Sequence, residues 1–134
     1  MPDAVADTHG LIWYLEDSPR LGSTASAVFA ACDRGEVTIY VPTICIVEIV
    51  YLQEKGRIPA EMRTALAAAL QGKASGLRLA NLTAEVAEAV AQIPRDTVPD
   101  MPDRIIAATA LVLRVPLLSR DPALAAVKEL EIVW

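Results

Sequence analysis

Val37-Thr38-Ile39-Tyr40-Val41-Pro42-Thr43-Ile44-Cys45-Ile46-Val47-Glu48-Ile49-Val50-Tyr51-Leu52-Gln53-Glu54-Lys55-Gly56 carries the two patterns that decide the fold. Val37 to Val41 is β-branched and bounded by Gly35 and Pro42, which predicts a strand. Thr43 to about Lys55 is helical and apolar almost all round, and Gly56 closes it. One residue of that helix does not suit its neighbours. Glu48 is the only charged residue between Ile44 and Leu52, and its partners at i±3 and i±4 are Ile44, Cys45, Tyr51 and Leu52. No solvated stripe accommodates it, and a carboxylate is almost never buried without a partner. A Lys or Arg is one candidate partner, but none precedes Glu48 nearby in the helix, so a bound cation is the better explanation.

The same alternation continues on both sides. Toward the N-terminus, Ala4-Val5-Ala6 is a short apolar run ending at Asp7. A helical pattern follows from Gly10 to Glu16, stopped by Ser18-Pro19, and a second helix carries Ala25, Val28, Phe29 and Cys32. Toward the C-terminus, Met62, Leu66 and Leu70 mark a helix that ends near Gly72, and Leu77 to Leu82 reads as a strand. Thr83 caps a helix with Val86, Val90 and Ile93. A Pro-rich loop, Pro94 to Pro102, leads into a helix over Ile105–Leu113, then a strand over Val115–Ser119, a helix over Pro122–Lys128 and a closing strand, Ile132-Val133-Trp134. Strands alternating with helices predict one α/β domain over residues 1–134, with a parallel central sheet flanked by helices on both faces. Right-handed crossovers then bring every strand's C-terminal end to one edge, where open α/β sheets bind ligands.

Composition narrows the function classes. The chain has 134 residues, 54% hydrophobic and 22% charged, which excludes intrinsic disorder and leaves ample material for an aliphatic core. Twelve Lys and Arg against 17 Asp and Glu give a net charge of −5, which excludes a globally basic nucleic-acid coat but not a local basic rim. Cys32 and Cys45 both fall in apolar helical patterns and are expected to be free buried thiols. Met1-Pro2-Asp3 offers neither a cationic start nor an apolar signal core. The stretch from Ile105 to Leu118 is broken by Arg114 and Pro116, short of the roughly 18 residues of a membrane span. A cytoplasmic protein is expected.

Three further acids fall near the ligand-binding edge. Asp7 ends the first strand, Asp121 follows the Val115–Ser119 strand, and Asp103 opens the Ile105–Leu113 helix. Each is also a good helix N-cap, and Asp121-Pro122 has the N-cap and N1-proline order. With Glu48 they form a set of four carboxylates that would repel one another unless a hard cation sat between them. Mg²⁺ or Mn²⁺ suits all-oxygen ligation. His9, the only histidine, lacks the Cys or His companions of a zinc site and reads as structural.

The segments Ala6-Asp7-Thr8-His9, Val47-Glu48-Ile49, Pro102-Asp103-Arg104-Ile105-Ile106-Ala107 and Leu118-Ser119-Arg120-Asp121-Pro122, in this order and spacing, resemble the PIN-domain ribonucleases, above all the small bacterial VapC-type toxins. The resemblance implies a Mg²⁺- or Mn²⁺-dependent endoribonuclease, often a homodimer held inactive by a VapB-type antitoxin. The family's four acids carry over onto Asp7, Glu48, Asp103 and Asp121. Asp100 matches a further Asp that relatives often carry, but it also suits a helix cap, with Asp103 in the capping-box position. Ser119 stands where relatives often have Thr. Arg104, Arg120, Lys55 and Arg57 are the basic residues nearest the motifs. They are candidates to track the RNA backbone, with ordinary solvated charge the competing reading for Lys55 and Arg57.

Other classes fit less well. No G-x-G-x-x-G follows the first strand, Gly72-Lys73-Ala74 lacks the other residues of a phosphate loop, and Asp7-Thr8-His9-Gly10 is not a D-x-D motif. The alternative that stands is a non-catalytic PIN-fold module acting through a protein partner or through bound RNA.

Overall fold

The computed structural model describes residues 1–134. Five short strands, β1 (Ala4–Ala6), β2 (Ile39–Pro42), β3 (Leu77–Ala80), β4 (Leu117–Leu118) and β5 (Ile132–Val133), form one parallel sheet in the order β3-β2-β1-β4-β5. Helices α1 (Thr8–Leu15), α2 (Ser23–Asp33), α3 (Thr43–Glu54), α4 (Glu61–Gln71), α5 (Ala84–Ala89), α6 (Met101–Leu113) and α7 (Pro122–Ala125) make the connections, with a 3₁₀ turn over Val90–Gln92. Ala4, Val5 and Ala6 are all buried. Successive strand residues point to opposite faces, so the sheet is covered on both sides at β1. Cys32 and Cys45 are free and buried, as expected. No helix is long and apolar enough to cross a membrane.

α6 supplies much of the central packing. Its residues Ile105 to Ala110 are buried without interruption, and it contacts α3, α5 and β1. Ala107, Ala108 and Ala110 let those neighbours approach closely. The helix starts four residues before the sequence pattern suggests, because Pro102 sits in its first turn, where a missing N–H costs nothing. It stops at Arg114, which takes a left-handed conformation with φ 57°.

Three other expectations need correction. α3 is not enclosed all round: Cys45 and Ile49 are its buried residues, while Val47 and Tyr51 are exposed. The predicted strand over Val115–Ser119 has only Leu117 and Leu118 in the ladder, and the predicted helix over Pro122–Lys128 ends at Ala125.

The strand order reverses at β1. The chain steps from β1 to β2 and β3 on one side, then returns to place β4 and β5 on the other. The crevice beyond the carboxyl ends of β1 and β4 is therefore the topological switch point, where open α/β sheets bind their ligands. Val5 and Ala6 pair with Leu117 and Leu118, so Asp7 and Ser119 emerge side by side at that crevice.

Candidate functional site

Asp7 leaves β1 and becomes the N-cap of α1, accepting a hydrogen bond on Oδ1 from the Gly10 amide at 2.7 Å. Asp121 caps α7 in the same way, accepting on Oδ1 from Ala123 N–H at 2.9 Å, while its own N–H donates to the Ser119 hydroxyl at 3.1 Å. Capping and a place in the crevice are thus not alternatives for these two residues.

Asp103 is different. The cap of α6 is Asp100, whose Oδ2 accepts from the Asp103 amide at 3.0 Å. Asp103 stands in the first turn, its carboxylate makes no return bond to Asp100, and it accepts no hydrogen bond at all. The capping reading therefore belongs to Asp100 and not to Asp103. Glu48, half-buried on α3, accepts one hydrogen bond, from the Thr8 hydroxyl. The only ion pair in the protein is Arg34–Glu36, so no Lys or Arg neutralises Glu48.

Asp7, Glu48, Asp103 and Asp121, with Asp100 and Glu16, line one cavity of about 810 Å³. Their crowding shows in their acidities. Burial is the main cause that pushes the Asp103 carboxyl up to about 7, and the charges of Asp100, Asp121, Glu48 and Asp7 push the same way. Burial also raises Asp7, against the hydrogen bonds from Ser119 and Gly10, and raises Glu48, against the Thr8 hydroxyl. Each of these shifts disfavours the ionised form, and a divalent cation would oppose them all.

No three of the His, Cys, Asp and Glu side chains are close enough together to hold a metal ion as they stand. The donor chemistry nevertheless fits a hard cation. It is all carboxylate oxygen, with no Lys or Arg ion-paired to any of the four acids, and Asp103 has both oxygens free of hydrogen bonds. His9 is exposed at the cavity with its ring against Trp13, and no second imidazole or thiol accompanies it there.

The basic residues divide. Arg120 lines the cavity with its guanidinium carbon 4.5 Å from the centre of the Trp13 ring, and Arg20 and Arg57 line it as well. Lys55 does not. Arg104 turns away: its guanidinium donates to the carbonyls of Val90 at 3.0 Å and Ile93 at 2.9 and 3.2 Å. The Val90 carbonyl also accepts the Ile93 N–H, while the Ile93 carbonyl has no backbone donor, so Arg104 clamps the end of this turn, and it does not line the cavity. Sequence reasoning gave no role to Thr8, Gly10, Trp13 or Arg20: only the fold brings Thr8 to Glu48 and Trp13 and Arg20 to the cavity, and only the turn of α1 brings the Gly10 amide onto Asp7.

The PIN domain family model matches residues 4–130. A comparison with curated proteins finds no match. Among solved structures, the chain is similar to VapBC2 from Rickettsia felis bound to a fragment of promoter DNA, with TM-score 0.72 and 12% identity, covering 98% of this chain and 97% of that one. A toxin–antitoxin complex from Klebsiella pneumoniae gives TM-score 0.65 and 23% identity over 98% and 96%. VapC20 of Mycobacterium tuberculosis, a toxin that cleaves the sarcin–ricin loop, gives 0.62 and 16% over 96% and 98%. At these identities the structures speak for the fold.

Proposed function

This chain belongs to the PIN domain family, and on that premise we propose that it is a Mg²⁺- or Mn²⁺-dependent endoribonuclease hydrolysing RNA phosphodiester bonds. In this reading it is the toxin of a toxin–antitoxin pair, a cytoplasmic homodimer restrained by a VapB-type antitoxin. One observation carries the reading: four carboxylates line a single cavity at the sheet's switch point, with no cation of the protein paired to any of them. Supporting the partner, Val47 and Tyr51 leave apolar surface exposed on α3, the helix that also sends Glu48 and Leu52 to the cavity.

Asp7, Glu48 and Asp103 would hold the metal, with Asp121 contributing a further oxygen or orienting the others. When bound, such an ion activates water and stabilises the charge that develops on a phosphate under in-line attack. The chain's own part is orientation. The Gly10 amide fixes the Asp7 carboxylate, the Thr8 hydroxyl fixes Glu48, and the Ala123 amide fixes Asp121. Asp103 alone is unrestrained by hydrogen bonds and is free to turn toward a cation. Arg120, at the rim, is placed to meet the RNA backbone.

The test is cleavage of a single-stranded RNA by partner-free protein with Mn²⁺ and with excess chelator, alongside Glu48→Gln. Cleavage that needs metal and is lost in a folded Glu48→Gln supports the reading. Undiminished cleavage in chelator, with contaminating nuclease controlled, overturns it. RNA binding without cleavage at any metal concentration makes the protein a binding module instead.

A further inference from the structure

Arg120 is the cation that the fold holds in place at this cavity. It stacks on Trp13, forms no ion pair with any carboxylate although Asp121 is its neighbour in the chain, and is itself exposed. Arg20 and Arg57, also on the lining, have no comparable side-chain partner. A guanidinium lying on an aromatic face keeps its N–H edges available to a phosphate.

Trp13 is in turn held from behind. It is 7% exposed, and Trp134 abuts it at 5.7 Å with the rings 66° apart. Trp134 is seated by two glycines. Its carbonyl accepts from Thr24 and Ala25 N–H, both at 2.9 Å, and so closes the first turn of α2, whose N-cap Gly22 has no side chain to do it. A Cβ on Gly22 would lie 2.5 Å from both the Trp134 carbonyl oxygen and Cδ1. A Cβ on Gly10 would lie 3.4 Å from the indole's Cζ3. These contacts tie the end of β5, the start of α2 and the first turn of α1 to the ring beneath Arg120.

We propose that Trp134 is a positioning residue: seated on Gly22 and Gly10, it holds Trp13, and through Trp13 the Arg120 guanidinium, where it takes a phosphate beside the one that is cut. This rests on the ribonuclease reading above. The carboxylates and their cation serve the scissile phosphate, and the stacked arginine serves the strand next to it. A segregation of this kind explains why a basic residue beside so acidic a cavity is paired to an indole rather than to an acid.

The experiment measures KM, kcat and salt dependence for cleavage of a single-stranded RNA at saturating Mn²⁺, with melting curves on each protein. The set is Trp134→Leu, Trp134→Phe, Arg120→Ala and the double variant Trp134→Leu with Arg120→Ala. Trp134→Leu should raise KM about fivefold, in the range of one exposed cation–π contact, with kcat within about twofold. The log–log salt slope should shrink by about 0.7, one single-strand phosphate contact. Trp134→Phe, which keeps an aromatic edge, should restore most of the KM, and Trp134→Leu should add nothing in the Arg120→Ala background. Equal effects of Trp134→Leu in both backgrounds, or a fall in kcat at constant KM, overturn the inference. Arg120→Lys, at an exposed position, tests the stack independently of Trp134: it should raise KM as Trp134→Leu does, and parental kinetics in that variant overturn the proposal too. Absence of metal-dependent cleavage by the unsubstituted protein defeats the ribonuclease reading itself, and this inference with it. Cleavage that is present but shows none of these couplings defeats the inference alone.

Discussion

A Cβ on Gly10 would lie 2.9 Å from Asp7 Oδ1, the oxygen that the Gly10 amide reaches at 2.7 Å. The carboxylate lies so tightly on the first turn of α1 that this position has no room for a side chain. Two effects therefore compete in Gly10→Ala. Helix propensity favours Ala by about 1 kcal/mol, while the methyl group displaces the carboxylate and presses on Trp134. The melting temperature should change little, but cleavage should fall by about 10²-fold, the scale expected when a reacting group is displaced by about 1 Å. Kinetics and melting on one preparation check this, and full activity in a folded Gly10→Ala would show that the orientation of Asp7 is immaterial.

The Thr8 hydroxyl bridges α1 to Glu48 on α3 and is buried. It lowers the Glu48 pKa that burial raises, so Thr8→Val should move Glu48 further up. At limiting Mn²⁺ the rising limb of the pH–activity profile should then shift to higher pH. Thr8→Ser, which keeps the donor, should restore the parental profile. Identical profiles for Thr8→Val and the parent would remove the hydrogen bond from the mechanism.

Asp7, Glu48 and Asp121 show what the sequence reveals about the site. Two follow apolar runs that can only be strand ends, and the third is an acid on an apolar helix, so periodicity and topology alone bring them to one edge. Asp100 and Asp103 show what it hides. Both precede the same apolar run, both suit a cap, and only the backbone at Met101-Pro102 decides which amide points at which carboxylate. Arg104 was hidden for a related reason: a basic residue beside an acid looks the same in sequence whether it faces RNA or the carbonyls of a 3₁₀ turn 11 and 14 residues earlier. For α3, apolar composition announced a helix but not its surroundings. A side chain such as Tyr51 is equally apolar whether buried in a core or exposed on a free face.

The crowded acids make a prediction about stability without metal. Asp103 titrates near 3.8 when unperturbed and at about 7 in the folded protein. Between those values the folded state keeps a proton that the unfolded chain has lost, so stability falls as pH rises through this window and levels off above it. Asp7 and Glu48, both raised, act in the same direction. In excess chelator the melting temperature should therefore decline from about pH 4 to pH 7, and the partial exposure of Asp103 keeps the decline modest. Added Mn²⁺ should reverse the trend by favouring the ionised forms. A melting temperature that climbs through the window in chelator would show that the carboxylates do not repel one another in the folded state.

Asp100 and Asp103 can be separated by melting curves alone. The Asp103 carboxylate accepts no hydrogen bond, so Asp103→Asn removes a repelling charge without removing a contact. Without metal the variant should melt at the parental temperature or above it. Metal reverses the order. Binding to the native state stabilises it by RT ln(1 + [L]/Kd), about 2.7 kcal/mol at a hundredfold excess over Kd. The parent should show that gain, and Asp103→Asn should lose most of it. Asp100 calls for a pair of variants. Asp100→Asn and Asp100→Ala both remove the charge, but only Asn retains the cap on the Asp103 amide, since Asn caps about as well as Asp. Asp100→Ala should therefore be the less stable of the two by about 1 kcal/mol, by the same amount with and without Mn²⁺, and both should keep the parental metal gain. Equal Mn²⁺ shifts in the parent and Asp103→Asn would take Asp103 out of the site, and loss of the shift in Asp100→Asn would put Asp100 into it.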